Sequence, residues 1–114
     1  MRATLALILT ISAAPAFAAT GPDVFNDKCG DCHTLDPPSG TAPSLKGVVG
    51  RKVASLADFQ YSDALKAKTG AWTPDNLDAF LAAPQSFAPG TAMYGGASDP
   101  NDRKAIIDYL TSVK

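Results

Sequence analysis

The spacing of apolar residues predicts two amphipathic helices in the second half of the chain. The earlier helix follows a cap at Thr73, has Pro74 at its first helical position and stops before Pro84. The later helix follows a cap at Asp99, with Pro100 inside its first turn. In both segments the apolar residues recur three or four positions apart: Leu77, Phe80 and Leu81, then Ile106, Tyr109, Leu110 and Val113. Each helix is therefore expected to pack one face against a core.

A third helix is predicted near the start of the chain, from about Pro22 to Asp31, and it delivers Cys29 as it ends. A short helical turn is expected from Ser62 to Lys68. Nine Gly and nine Pro residues indicate much irregular structure, including long loops over 33–44 and 82–96. The predicted fold class is all-α, a single domain with three main helices and long loops.

The first eighteen residues have the pattern of a secretory signal peptide. Arg2 supplies a positive start, an apolar run of nine residues follows, and the sequence Ala16-Phe17-Ala18 fits a cleavage site. The apolar run is too short to span a bilayer. Residues 19–114 are therefore expected to form one soluble mature domain in the periplasm, without a permanent membrane anchor.

The charge of the chain disfavours a nucleic-acid partner. Without Arg2, nine Lys and Arg residues face eleven acids, all of them Asp, so the mature net charge is about −2. The sequence contains no basic run of the kind that binds phosphates or an anionic membrane surface.

The sequence CGDCH, residues 29–33, contains both cysteines and the single histidine. A thiol–disulfide enzyme is one interpretation, but it needs the cysteine pair at a strand-to-helix turn, and no strong strand precedes Cys29. A structural zinc site is another, but it needs four ligands and no second ligand pair is present. Cys-x-x-Cys-His is the attachment motif of c-type haem, with His33 on the iron. The haem interpretation uses every residue of the motif.

A haem held by His33 requires a second axial ligand if the iron is to be six-coordinate. Met93 is the single methionine besides the initiator, and it lies in the loop FAPGTAMYGG. A loop bordered by Pro89 and Gly90 is a poor place for core filler and a good one for a rigidly presented ligand. His/Met ligation is therefore favoured, and the thioether stabilises ferrous iron.

Several segments occur in the order and spacing of class I c-type cytochromes: KCGDCH, APSLKGVVGR, FQYSDA, Trp72, PGTAM and AIIDYL. Over nearly the whole mature chain, the sequence resembles the small soluble carriers of this family from bacteria and mitochondria. The resemblance implies one haem c attached covalently through Cys29 and Cys32. It also implies one-electron transfer without enzymatic catalysis.

The resemblance assigns further roles around the haem. Pro43 matches the position whose carbonyl accepts a hydrogen bond from the proximal histidine. Arg51, Tyr61 and Trp72 match positions that hold a haem propionate, and Thr91 matches a hydroxyl on the propionate side. Without the resemblance, Tyr61 and Trp72 would be taken as core aromatics, Arg51 as a surface charge and Pro43 as a loop proline.

The resemblance also implies that Gly21, Phe25 and Tyr109 lie where the first and last helices cross. Three positions depart from residues that are common in the family: Phe80, Leu65 and Ala92. Phe80 replaces a tyrosine near the methionine sulfur, and Leu65 replaces an asparagine of a buried polar network. Ala92 replaces a lysine at the haem edge, so steering toward an acidic partner is expected to be weaker.

The expected partners are redox proteins, such as a membrane oxidoreductase complex, an oxidase, a reaction centre or a dehydrogenase. A monomer is the expected state. Three other functions remain open: a five-coordinate haem protein that binds gas or reacts with peroxide, an electron-transfer subunit of one dedicated enzyme, and, without haem, a thiol–disulfide enzyme. The first of these requires that Met93 does not bind the iron.

Overall fold

The structure, a computed structural model, describes residues 12–13 and 20–114. The predicted signal peptide therefore lies outside the described residues, except for positions 12 and 13. Within the described ranges the secondary structure is helical, and an isolated bridge between Lys52 and Ala71 is the one β-type pairing. The helices there are α1 (Gly21–Lys28), α2 (Asp63–Lys66), α3 (Pro74–Ala82), α4 (Pro84–Phe87) and α5 (Pro100–Ser112). The all-α prediction is confirmed.

The first helix is shorter than predicted. Helix α1 ends at Lys28, and the amides of Cys29 and Gly30 both donate to the carbonyl oxygen of Phe25, at 2.8 and 3.0 Å. The amides of Cys32 and His33 then donate to the carbonyl oxygen of Cys29, at 3.2 and 2.9 Å. The CGDCH motif thus forms a turn that follows α1, and Cys29, its first residue, is the C-cap of α1.

The predicted caps of the later helices are present. The Thr73 hydroxyl accepts from the Asn76 amide at 3.2 Å, and the Asn76 side chain accepts from the Thr73 amide at 2.7 Å. This reciprocal capping box fixes the start of α3. The carboxylate of Asp99 accepts from the Asn101 amide at 2.8 Å and caps α5. Both helices begin with a proline, where a missing N–H costs nothing.

Helix α4 is an element that sequence analysis assigned to a loop. It begins at Pro84, two residues after the end of α3, and Ala83 between the two helices has an extended φ of −154°. Four residues are too few to show a helical period. Helix α4 matters for the site because it leads directly into the segment that carries Met93.

The core forms where α1 and α3 pack against α5. Phe25 and Tyr109 meet edge to face with ring centroids 5.7 Å apart, and Gly21 lies against Tyr109 at the same crossing. The buried apolar residues of the three helices are Val24, Phe25, Leu77, Phe80, Leu81, Ile106, Ile107 and Leu110. This packing holds α3 and α5 as a fixed wall under the long loops. No helix in the described ranges is long and apolar enough to cross a membrane.

Candidate functional site

A cleft of about 490 Å³ lies between the loops and the wall formed by α3 and α5. Its volume is in the range of protein sites for small molecules and cofactors. Every site residue predicted from the sequence lines it: Cys29, Cys32, His33, Pro43, Arg51, Tyr61, Trp72, Thr91 and Met93. The structure thus brings together side chains that are up to 64 residues apart in the chain.

The two cysteines lie at one edge of the cleft as free thiols, with Cys29 buried and Cys32 exposed. Burial raises the pKa of the Cys29 thiol to about 11. A thiol–disulfide enzyme needs a lowered thiol pKa to form the attacking thiolate. The environment of Cys29 therefore disfavours this thiol as the attacking group of a thiol–disulfide enzyme.

The imidazole of His33 is oriented by the loop that follows it. Its Nδ1 lies 2.8 Å from the carbonyl oxygen of Pro43, and since a carbonyl only accepts, Nδ1 carries the proton. The other ring nitrogen, Nε2, has a free lone pair when the imidazole is neutral. Burial lowers the pKa of His33, and the hydrogen bond to Pro43 partly opposes this shift. His33 is therefore a neutral imidazole with one nitrogen available as a metal ligand.

Arg51 places a positive charge on the wall of the cleft. Its guanidinium donates to the carbonyl oxygens of Ser44, at 2.9 Å, and Lys46, at 3.4 Å. Burial lowers the pKa of Arg51, and electrostatic interactions with Tyr61 and Asp58 oppose this shift. The guanidinium is ionised at any ordinary pH. No acidic side chain is among the described residues that line the cleft. This side of the cleft thus suits a carboxylate from a bound group.

Tyr61 and Trp72 both line the cleft, but their surroundings differ. The Tyr61 hydroxyl accepts a hydrogen bond from the Leu56 amide at 3.3 Å, which leaves its proton free to donate. Trp72 is buried in an aromatic cluster, with its ring centroid 5.2 Å from that of Phe80 and 5.8 Å from that of Phe87. Trp72 is thus a core aromatic as well as part of the cleft wall.

Met93 reaches the cleft from the segment between α4 and α5. It is partly buried and packs against the hydrophobic core. Thr91 is 3% exposed, and its hydroxyl accepts from the Met93 amide across a long 3.4 Å. The neighbouring Tyr94 is 83% exposed, although it also lines the cleft.

The three departures from the usual family residues all lie on the cleft wall. Phe80 and Leu65 are buried there, and Ala92 lies at an exposed position beside Met93. Phe80 and Leu65 bring no hydrogen-bonding group to the buried part of the wall. Apolar surroundings of this kind raise the cost of extra charge on a bound metal.

Two features of the site were missed in the sequence. The apolar floor of the cleft is formed by helix residues whose spacing indicated burial only: Leu77, Leu81, Ile106 and Leu110. Gln85, on α4, hydrogen-bonds to the backbone of the segment that carries Met93. An exposed glutamine on a helix of four residues has no sequence pattern that would identify it.

The residues present fit a haem on structural grounds. One free imidazole nitrogen, two unpaired thiols and one thioether line a single, mainly apolar cleft. Arg51 supplies a fixed cation for a carboxylate, and no acidic side chain from the described lining competes for it. A flat apolar group with two carboxylates and a central metal satisfies these features together.

The sequence profile of the cytochrome c family matches residues 18–114. The chain belongs to the cytochrome c family. Members of this family transfer electrons and are not enzymes, and they bind one haem c covalently through two cysteines. The two cysteines of this chain are Cys29 and Cys32.

Individual relatives agree with this assignment. The chain is 39% identical over 97 residues to the cytochrome c-type cyt cy of Rhodobacter capsulatus, covering 84% of this chain but only 49% of that protein. It is 40% identical over 96 residues to the cytochrome c of Cochliobolus lunatus, covering 82% and 89% of the two chains. Among solved structures, cytochrome cH from Methylobacterium extorquens aligns with a TM-score of 0.74 and 40% identity, over 81% of this chain and 94% of that one. The chain thus spans about half of one relative and most of the others.

Proposed function

We propose that this protein is a periplasmic one-electron carrier whose haem c iron is bound axially by His33 and Met93. The observation that carries the proposal is that the single histidine and the single methionine beyond the initiator line the same cleft as both cysteines. Haem c supplies the redox-active iron. The protein supplies the axial ligands, lowers the dielectric constant around the haem and leaves one haem edge accessible to a redox partner.

Each axial ligand has its own support. The hydrogen bond from His33 Nδ1–H to the Pro43 carbonyl fixes the ring orientation and the tautomer that leaves Nε2 as the ligand nitrogen, and burial favours the neutral imidazole. A soft thioether from Met93 would favour the ferrous state and raise the reduction potential. Because both ligands come from the chain, no ligand needs to leave during electron transfer, and little of the structure has to move.

The polar groups of the wall are proposed to hold the haem propionates. Arg51 lines the cleft and is anchored by the Ser44 and Lys46 carbonyls, and these two hydrogen bonds leave three of its five N–H groups to donate elsewhere. Tyr61, Trp72 and Thr91 line the same cleft and carry a hydroxyl or an indole N–H. A partly buried carboxylate needs such donors, because an unpaired buried charge is costly.

The secretory pattern of residues 1–18 supports maturation after Ala18 and a domain of residues 19–114 in the periplasm. Intact mass spectrometry of protein secreted by a bacterial host with haem-attachment machinery tests this step. The expected species begins at Ala19 and carries the mass of one haem. A species that retains residues 1–18 would contradict the proposed maturation.

The partners are proposed to be redox proteins that approach the edge of the cleft, and the monomer is the proposed state. The cleft opens beside exposed Cys32, Ala92 and Tyr94. A net charge of about −2 after removal of Arg2 gives little steering toward a strongly acidic partner.

Oxidation in the presence of carbon monoxide distinguishes a carrier from a gas-binding protein. Ferrous protein is mixed with ferricyanide in a stopped-flow instrument, with and without saturating carbon monoxide. If Met93 holds the sixth position, the oxidation rate is the same in both, whereas Met93→Ala is slowed by the gas. Equal inhibition of the wild type and Met93→Ala would favour the five-coordinate alternative.

A further inference from the structure

The segment that carries Met93, residues 88–97, has few backbone hydrogen bonds of its own. The Thr91 amide donates to the Ala88 carbonyl at 3.0 Å near its start, and the Ala97 amide donates to the Leu81 carbonyl at 2.9 Å at its end. Between these anchors the Met93 amide makes only the long 3.4 Å contact with the Thr91 hydroxyl. The middle of the segment therefore depends on side chains from outside it.

Gln85 supplies that support with a single primary amide. Its Nε2 donates to the carbonyl oxygen of Thr91 at 2.7 Å and to that of Met93 at 3.2 Å. Its Oε1 accepts from the Gly90 amide at 3.3 Å. One side chain thus binds three backbone groups within four residues, including a backbone group of Met93 itself. Gln85 directly follows Pro84, the buried residue of α4, so its backbone is attached to a buried position.

We propose that Gln85 is a positioning residue that holds the backbone of Met93 so that the thioether stays on the iron. The inference rests on the proposed ligation by Met93. A methionine side chain has three rotatable bonds and gives little rigidity, so the backbone must define where its sulfur lies. We call the three hydrogen bonds of the Gln85 side chain the clamp. Loss of the clamp increases the fraction of protein in which the sixth coordination position of the iron is free. An external ligand for that position then binds more tightly in proportion to that fraction.

Two substitutions separate hydrogen bonding from packing. Gln85→Met has nearly the same length, cannot donate a hydrogen bond, and offers only a weakly accepting sulfur. Gln85→Glu has the same shape and keeps an acceptor for the Gly90 amide. At neutral pH, however, its carboxylate cannot donate and faces the two carbonyl oxygens of Thr91 and Met93. A role in packing alone predicts that Gln85→Glu behaves as the wild type. The clamp predicts that the sixth coordination position is free in at least as large a fraction of Gln85→Glu as of Gln85→Met.

The haem-loaded full chain is titrated with imidazole in the ferric state and followed by absorption. Gln85→Glu loses the two donated hydrogen bonds and Gln85→Met loses all three, and imidazole binding is expected to tighten about tenfold in both variants. Ser86→Ala, at the adjacent exposed position, is the matched control and should bind imidazole as the wild type does. Wild-type affinity in Gln85→Glu, or in both Gln85 variants, would overturn the proposal.

A second readout keeps this result separate from the proposed ligation. Hydrogen–deuterium exchange of residues 88–97 is expected to be about fivefold faster in both Gln85 variants than in Ser86→Ala. Met93→Ala is included in the imidazole titration. If it binds imidazole no more tightly than the wild type, ligation by Met93 fails, and exchange alone then decides the clamp. Unchanged exchange in the Gln85 variants would exclude the clamp whatever binds the iron.

Discussion

A Cβ atom built on Gly21 would lie 2.9 Å from the Cβ of Tyr109, where α1 crosses α5. The same atom would lie 3.0 Å from the carbonyl oxygen of Ala105, which is also on α5, so the crossing has no room for a methyl group. The closest approach of these two helices thus depends on the absence of a side chain at Gly21.

Gly21→Ala is expected to destabilise the protein by about 1–3 kcal/mol, because the helices must move apart to accept the methyl group. Chemical denaturation of the haem-loaded protein measures this loss. Gly40→Ala is the control, since a Cβ at Gly40 meets nothing within 4 Å, and its effect should be within about 0.5 kcal/mol. Equal effects of the two substitutions would show that the crossing tolerates the extra atom.

Arg103 joins α5 to α3 and to the end of the Met93 segment. Its Nε donates to the Asp78 carboxylate at 2.7 Å, and its Nη1 donates to the carbonyl oxygens of Ala97 and Ser98 at 3.0 and 2.9 Å. The Arg103 side chain is only 13% exposed. Arg103→Met is expected to cost about 2–3 kcal/mol, because two carbonyl groups and a carboxylate lose their donor.

Lys104→Met provides the comparison for that substitution. Lys104 is adjacent in sequence and also pairs with an aspartate, Asp108, at 2.6 Å, but its side chain is 75% exposed. An exposed pair of this kind contributes about 0.5 kcal/mol or less. In thermal unfolding, the midpoint temperature of Arg103→Met should therefore lie well below that of Lys104→Met. Similar midpoints would mean that the Arg103 contacts contribute little.

Asp58 joins two loops that border the cleft and should make stability depend on pH. Its carboxylate accepts from the amide and hydroxyl of Ser39, at 2.8 and 2.9 Å. These two hydrogen bonds, with a smaller effect of Arg51, lower the pKa of Asp58. The folded state therefore binds this proton less readily than the unfolded state. The resulting stabilisation is present above the unfolded pKa of about 3.9 and is lost as pH falls through the lower folded value.

Asp58→Asn tests this linkage through unfolding free energies measured from neutral pH to pH 3. The wild type should be the more stable protein at neutral pH, and the difference should shrink below about pH 4. In a Ser39→Ala background the difference should be smaller at every pH, because one of the two donors is gone. A difference that does not vary with pH would remove Asp58 as its source.

Local patterns account for the parts of the structure that were predictable. The caps Thr73 and Asp99 and the attachment motif are encoded within a few neighbouring residues, so the sequence alone indicates them. The role of Pro43 required the family resemblance, because its hydrogen bond to His33 spans ten positions and involves a backbone oxygen.

Other features leave no local pattern in the sequence. Helix α4 has four residues, too few to show a periodic pattern of apolar positions. The carboxylate of Asp58 contacts Ser39, which lies 19 positions away in the chain. Gln85 acts on backbone groups, whose position depends on the folded path of the loop. Such contacts are set by tertiary structure, and a composition or spacing rule does not specify them.

Proton NMR of the ferrous haem-loaded protein tests the central claim, that Met93 binds the iron, most directly. A methionine bound to the iron holds its methyl group above the porphyrin, where the ring current shifts the methyl resonance far upfield. If Met93 binds the iron, one such resonance is expected in the wild type and in Ser86→Ala, and none in Met93→Ala. A wild-type spectrum with every methionine methyl at its ordinary position would contradict ligation by Met93.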